Sequence, residues 1–212
     1  MLHRALCSDS SSRSALMPRA GLTEIRVVEE GERIADEVGL SSLTLAALAE
    51  RLGVRQPSLY KHVAGTDGLR RSIAIRAKIE LASVLRRATV GRARGDAIAS
   101  MARAYRAWAK QHPGRYAAAQ RAPVPGDADD EFASAEAVQV AFDVMAGYNL
   151  RDDDAVDAIR GLRASLHGFV TLESAGGFGL PVDIDRSFGR LVAGLATAFE
   201  AWSDDPGVSA QI

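Results

Sequence analysis

The sequence has little of what would commit it to a particular chemistry. It contains one cysteine, Cys7, in 212 residues. No disulfide can close within the chain, and a lone thiol suits a reducing cytoplasm, the expected location. No apolar run approaches the ~18 residues that a membrane span needs. The first twenty residues, MLHRALCSDSSSRSALMPRA, lack the apolar centre of a secretory signal. Their serine and arginine content reads as a flexible arm, residues 1–20, within which Met17 is an alternative start. A formal net charge of -1 gives no global attraction to a polyanion. Glycine-rich phosphate loops, a Gly-x-Ser-x-Gly elbow and metal-ligand spacings are all missing from the sequence. Cys7 lies in the arm, a poor setting for a nucleophile. No stretch alternates apolar and polar residues with the period of a strand.

What is present is helical periodicity. With hydrophobic residues at 47% and charged residues at 25%, the chain has the balance of a globular protein able to bury a core. Leu22, Ile25, Val28, Ala35 and Val38 mark a first helix, with Thr23 near its start and Gly39 at its end. Thr44 is placed as an N-cap before Leu45, Leu48, Ala49 and Leu52, spaced i, i+3, i+4, i+7. Gly53 stops that helix, a short one follows to about His62, and AGTDG (Ala64 to Gly68) breaks the chain again. Thr66 is the expected cap of a long helix through about Ala88. Further helices follow over Asp96 to Gln111, over a short Ala-rich segment after HPG (His112 to Gly114), over Glu131 to Gly147, over Asp152 to Ser174, and after the AGGFGLP loop. The fold class is all-α. Residues 21–65 read as one unit, 66–205 as a second, and 206–212 as a flexible tail.

Charge is local. From Arg51 to Lys78 there are seven basic residues (Arg51, Arg55, Lys61, Arg70, Arg71, Arg76, Lys78) and one acidic, Asp67, a balance of 7 − 1 = +6. Such a patch is either the footprint of a polyanion or a solvated helix face. Helix, glycine turn, short helix is the helix-turn-helix arrangement, whose second helix enters the major groove. Leu48, Leu52, Val54, Leu59 and Val63 would pack its two helices together, and Pro57 pre-sets φ at the second helix start. Arg55, Gln56, Ser58, Tyr60, Lys61 and His62 are left on or near the exposed face. Glutamine can pair with adenine and arginine or lysine with guanine, while tyrosine, serine and lysine can bind phosphate.

TLAALAERLGVRQPSLYKHVAGTDGL (Thr44 to Leu69) resembles the DNA-binding segment of TetR-family transcriptional repressors. Five features coincide: the amphipathic first helix, the Thr44 cap, the LGV turn (Leu52 to Val54), the PSLYKHV recognition helix and a new helix directly after. The resemblance implies a three-helix DNA-binding domain from about Leu22 to Val63, then a C-terminal ligand-binding and dimerisation domain. It implies a homodimer on a palindromic operator, released by a small-molecule effector, with no cofactor. The family's DNA contacts fall on Thr44, Arg55, Gln56, Ser58, Tyr60, Lys61 and His62, with Pro57 among them and Thr66 where the family often has lysine. Arg70 and Arg71, one turn later, are candidates to compensate for that lysine.

RGLRASLHGFVTLESAGGFGLPVDIDRSFGRLVAGL (Arg160 to Leu195) is similar to a subgroup with a His-Gly pair in the penultimate helix. By that resemblance the last two helices form a four-helix bundle with their copies. Phe188, Leu191, Leu195, Phe199 and Trp202 form a stripe too apolar to face water, and Gly161, Ala164, Ser165 and Gly168 would let helices approach closely; the alternative is that both are ordinary core helices within a monomer. Met101, Tyr105, Trp108, Tyr116, Phe142, Met145, His167 and Phe178 are candidates for an effector pocket, although an aromatic stripe at helical spacing is more often plain core and His167 is more simply a hydrogen-bonded core histidine. Asp152, Asp153 and Asp154 stand at a helix start, where the helix dipole explains them better than a metal does. Asp127, Asp129 and Asp130, expected in a loop, are read the same way. The competing readings are a helical protein that binds a small molecule or partner without an operator, and an all-helical enzyme.

Overall fold

A computed structural model describes residues 22–204, so the arm of residues 1–20, with Cys7 and Met17, and the tail of 206–212 lie outside the described residues. Eight α-helices are found there and no strand. They are α1 (Glu24–Val38), α2 (Leu45–Leu52), α3 (Gly65–Thr89), α4 (Arg94–Gln111), α5 (Pro113–Ala119), α6 (Ala128–Ala146), α7 (Asp152–Ser174) and α8 (Ile184–Asp204). No helix among the described residues is long and apolar enough to cross a membrane, and no cluster of metal-ligating side chains is found among them.

The first three elements follow their local chemistry. Thr23 caps α1, its hydroxyl accepting from the Arg26 N–H at 3.3 Å. Thr44 caps α2 in the same way, accepting from the Ala47 N–H at 3.1 Å. Gly53 ends α2 in the left-handed conformation, φ 65° and ψ 33°, where a side chain is disfavoured. The short helix that follows, Gln56–Lys61, is a 3-10 helix rather than an α-helix. Six residues with Pro57 near the start are too few for a stable α-helical ladder, and i→i+3 bonding satisfies the ends sooner. Leu43, Leu48 and Leu59 are fully buried at the centre of this unit, with Val27, Val28, Ile34, Val63, Leu69 and Ile73 around them. Two expected core positions fail: Ile25 and Val38 are exposed, and Val27 takes the inward place. Thr66 is not a cap either. Ala64 stands at the start of α3 with no side-chain cap, so Thr66 is the second residue of the helix.

Helix α3 is the axis of the molecule. At 25 residues it runs for ~37 Å at ~1.5 Å per residue. Leu69, Ile73 and Ala74 on it belong to the core shared with α1 and α2. Ala77, Leu81 and Leu85 belong to a second core with α4, α6, α7 and α8. Helix α3 also packs against α5, and α5 packs on α1. At that joint Arg115 donates from its backbone N–H to Asp36 Oδ1 (2.9 Å) and from Nε to Asp36 Oδ2 (2.8 Å), and reaches Glu80 from Nη1 at 2.8 Å.

Helix α8 docks on α4 and α7 around one arginine. Arg106 donates to both oxygens of Glu173 at 2.7 Å, to Asp185 at 2.7 Å, and lies 4.8 Å from the Phe188 ring centroid. Those hydrogen bonds, with Lys110 adding another, hold the Glu173 carboxyl at about 2 against the opposing effect of its burial. This docking uses up most of the apolar stripe on α8. Phe188 and Phe199 are buried within the subunit and Leu195 packs against the same core. They are not an exposed stripe awaiting a partner. Leu191 is half-buried and Trp202 is exposed.

Candidate nucleic-acid interface and cavity

The 3-10 helix between α2 and α3 buries one residue and presents the rest. Leu59 is buried, and Arg55, Gln56, Pro57, Ser58, Tyr60 and Lys61 are exposed, with His62 half-buried. Its backbone is held at both ends, the Ser58 N–H donating to Arg55 O at 2.9 Å and the His62 N–H to Leu59 O at 2.8 Å. Thr44 is exposed as well, at the start of α2. Thus the residues predicted to meet DNA are solvent-exposed, apart from His62 and Thr66, which are half-buried.

The basic patch shrinks once its partners are known. Arg51 pairs with Glu30 at 3.1 Å and Glu37 at 2.8 Å. Arg71 pairs with Asp127 and Asp129, so it is not available to replace a family lysine. Arg76 pairs with Glu32 at 2.8 Å, and Lys78 is buried against Asp130 at 2.6 Å. Arg70 donates weakly to the Ser41 carbonyl at 3.5 Å. Only Arg55 and Lys61 of the seven lack an ionic or hydrogen-bonding partner among the described residues, and both stand on the exposed recognition segment. Most of the charge run is thus ion-paired within the chain, and Arg55 and Lys61 are the exposed cations it leaves.

Asp127, Asp129 and Asp130 are not in a loop. Asp127 caps α6, accepting from the Asp130 N–H at 3.3 Å, and Asp129 and Asp130 lie in the helix's first turn. Burial works against ionisation of Asp130, yet Lys78, the Val124 N–H and Arg121 outweigh it and hold the carboxyl below the usual range.

A cavity of about 590 Å³ opens between α3, α4, α6 and α7. Leu81 and Leu85 of α3, Met101 of α4, Val138 and Ala141 of α6, and Ile159 and Leu162 of α7 make most of its wall. Lys78, Tyr105, Gln120, Arg121, Ser134 and Arg163 add polar groups. Its size and mixed lining are those of a small-molecule site. Of the eight residues predicted for a pocket, Met101 and Tyr105 line it. Trp108, Tyr116 and Met145 are buried in the surrounding core, and Phe142 packs against that core from outside. Phe178 stacks on Phe169 at 4.8 Å, away from the cavity. His167 is a hydrogen-bonded histidine behind the wall: Tyr116 Oη lies 2.6 Å from its Nδ1 and 2.9 Å from Tyr105 Oη. Burial raises the pKa of both tyrosines, so both hydroxyls keep their protons.

Comparison with known proteins agrees with both ends of the chain. Residues 98–195 match the family described as "Tetracyclin repressor-like, C-terminal domain". The chain is 40% identical over 183 residues to the uncharacterized HTH-type transcriptional regulator Rv0681 of Mycobacterium tuberculosis, covering 85% of this chain and 83% of that protein. It is 34% identical over 174 residues to the uncharacterized HTH-type transcriptional regulator YobS of Bacillus subtilis, covering 81% and 90%. A TetR variant from Acinetobacter baumannii AYE, solved in complex with minocycline, shares its fold with a TM-score of 0.66 at 23% identity, over 87% of this chain and 100% of that one. A fold of this kind, with its helix-turn-helix at one end, defines a DNA-binding transcriptional regulator. The chain belongs to the TetR family.

Proposed function

We propose that this regulator is a homodimeric repressor that binds a palindromic operator and releases it when a small molecule fills the α3–α4–α6–α7 cavity. The observation that carries DNA recognition is the seat of the 3-10 helix, where one buried leucine supports exposed Arg55, Gln56, Ser58, Tyr60 and Lys61. In this reading residues 21–65 form the DNA-binding unit and 66–205 the effector-binding and dimerisation unit, with α3 linking them. Gln56 reads a base edge, Arg55 and Ser58 contact bases or phosphate, and Thr44, Tyr60, Lys61 and His62 grip the backbone. An effector that prefers a conformation with a different spacing of the two recognition segments lowers operator affinity by linkage.

Replacing Tyr60→Phe together with Lys61→Ala is expected to weaken binding to every duplex by roughly tenfold or more, the scale of a lost charge-assisted hydrogen bond. The slope of log affinity against log salt should fall by about one unit. Gln56→Ala should instead narrow the gap between operator and unrelated sequence. A gel-shift titration at several salt concentrations reads both, and unchanged affinity in both variants points to the alternative, a helical protein that binds a ligand or partner without an operator.

Dimerisation is placed on α7 and α8. A Cβ built on Gly161 or Gly168 of α7, or on Gly189 or Gly194 of α8, meets nothing within 4 Å. Each glycine costs a helix up to ~1 kcal/mol relative to alanine, and none is required by packing inside the subunit. Close approach of a second copy accounts for them, with Ala164 exposed and Ser165 half-buried beside them and Leu191 and Trp202 on the neighbouring helix. Ala164→Arg is expected to shift the dimer to monomer in sedimentation equilibrium at micromolar protein without loss of helical signal. A dimer unaffected by that arginine removes α7 from the interface.

A further inference from the structure

On α3 and α6 the polar lining residues stand at one end of the cavity and apolar ones at the other. On α3 Lys78 lies at one end and Leu85 at the other, seven residues or ~10 Å apart. Helix α6 runs from Ser134 to Ala141 over the same span. On α4 the lining includes Met101 and Tyr105, and on α7 Arg163 stands between the apolar Leu162 and Leu166. The polar ends adjoin each other through hydrogen bonds. Lys78 Nζ donates to Asp130 Oδ1 at 2.6 Å and Ser134 Oγ at 2.9 Å. Arg121 donates to Asp130 Oδ2 at 2.7 Å, and Arg163 reaches the Oε1 of the adjacent Gln120 at 3.5 Å.

The charges along this rim do not cancel. Lys78, Arg121 and Arg163 supply three positive charges, and Asp130 and Glu131 supply two negative ones, leaving 3 − 2 = +1. Glu131 is exposed and accepts from the Gly126 N–H at 2.9 Å. Asp130 is shared between two cations and the Val124 N–H. Lys78 makes two of the three hydrogen bonds that an ammonium can donate. Arg163 has a neutral partner only. An excess cation beside an apolar chamber selects for an anion whose body is apolar, since such a ligand supplies the missing countercharge and buries hydrocarbon together.

We infer that the cavity takes an amphipathic carboxylate, its acid group on Arg163 and the Lys78–Arg121 rim and its hydrocarbon body among Leu81, Leu85, Met101 and Ile159. This rests on the reading of the cavity as the effector site. The acid group would sit at the end from which α3 continues to Leu69 and Ile73 of the helix-turn-helix core. A ligand pulling on Lys78 therefore acts on the helix that carries the DNA-binding unit.

Calorimetric titration of the full-length protein with decanoate, 1-decanol and decylamine tests it. Decanoate is expected to bind at least roughly tenfold more tightly than decanol, the effect of one charge-assisted hydrogen bond, and decylamine least. In Arg163→Gln, at an exposed position, decanoate should lose that advantage while decanol binding stays constant. Equal binding of acid and alcohol, a preference for the amine, or no binding of any of the three overturns the inference. The same ligands added to a protein–operator complex separate the two readings. Arg163-dependent decanoate binding without DNA release leaves the ligand class standing and removes effector control. Release by the alcohol or amine alone does the reverse.

Discussion

Gly114→Ala is expected to lower stability by about 3 kcal/mol, the upper range for overpacking a close-packed site. Gly114 is the second residue of α5, and a Cβ built on it lies 2.1 Å from both the carbonyl carbon and oxygen of Ala35, and 2.6 Å from the Asp36 nitrogen. These are backbone atoms of α1, so no side chain can swing away, and the helices must separate. Separation would also stretch the Arg115–Asp36 bonds made one residue later. Gly95→Ala serves as the control, because its Cβ meets only Ala196 Cβ at an ordinary 3.9 Å. Urea unfolding of both variants reads the difference. The control should match the parent or gain slightly, and a Gly114→Ala midpoint equal to the control's contradicts the tight α1–α5 joint. Because that joint links the two cores, DNA affinity should change with it.

The second large effect is expected from Lys78→Met. Asp130 is fully buried and the Lys78 side chain is 5% exposed, so truncation leaves a carboxylate in the interior with less compensation. Breaking such a pair costs ~3–5 kcal/mol when the remaining charge is unpaired. Arg121 and the Val124 N–H remain on the other oxygen, which places the loss at the lower end, about 3 kcal/mol. Adding Asp130→Leu removes the stranded charge. The double variant should therefore be more stable than Lys78→Met alone, a coupling that a double-mutant cycle isolates. A single variant within ~0.5 kcal/mol of the parent, the range of an ordinary surface change, sinks the idea that this pair holds α3 to α6.

Local signals carried most of the fold. Thr44, Gly53 and the i, i+3, i+4, i+7 stripe through Leu48 locate α2 to the residue, because caps and left-handed stops act within one turn. The nine residues from Arg55 to Val63 divide by burial as their chemistry suggests, with Leu59 and Val63 inward and the polar set outward. Tertiary partners were less legible. Seven cations in a short stretch look like one basic face, yet Arg51, Arg71, Arg76 and Lys78 are answered by carboxylates 14 to 58 residues away, a distance that no local pattern records. Where the core leaves a cavity was less legible still. Aromatic residues such as Trp108 and Tyr116 fill space and close the core, whereas the chamber opens where Leu81, Ala141 and Ile159 leave room. Its polar residues Lys78, Gln120, Arg121 and Arg163 carry no local signal that sets them apart from other polar side chains. On α8 the stripe through Phe188 and Phe199 had the right period, but periodicity does not distinguish a face covered by α4 from one covered by a second subunit.

DNA recognition by the segment Gln56–Lys61 is tested most directly by selection from a pool of random duplexes with the full-length protein. The enriched sequences should be palindromic, with half-sites centred ~34–36 Å apart or a multiple of one helical turn. Repeating the selection with Gln56→Ala should loosen the preference at one symmetric pair of positions while keeping the spacing. A pool that shows no enrichment over input, or a motif and affinity indifferent to Gln56, Tyr60 and Lys61, would contradict the account.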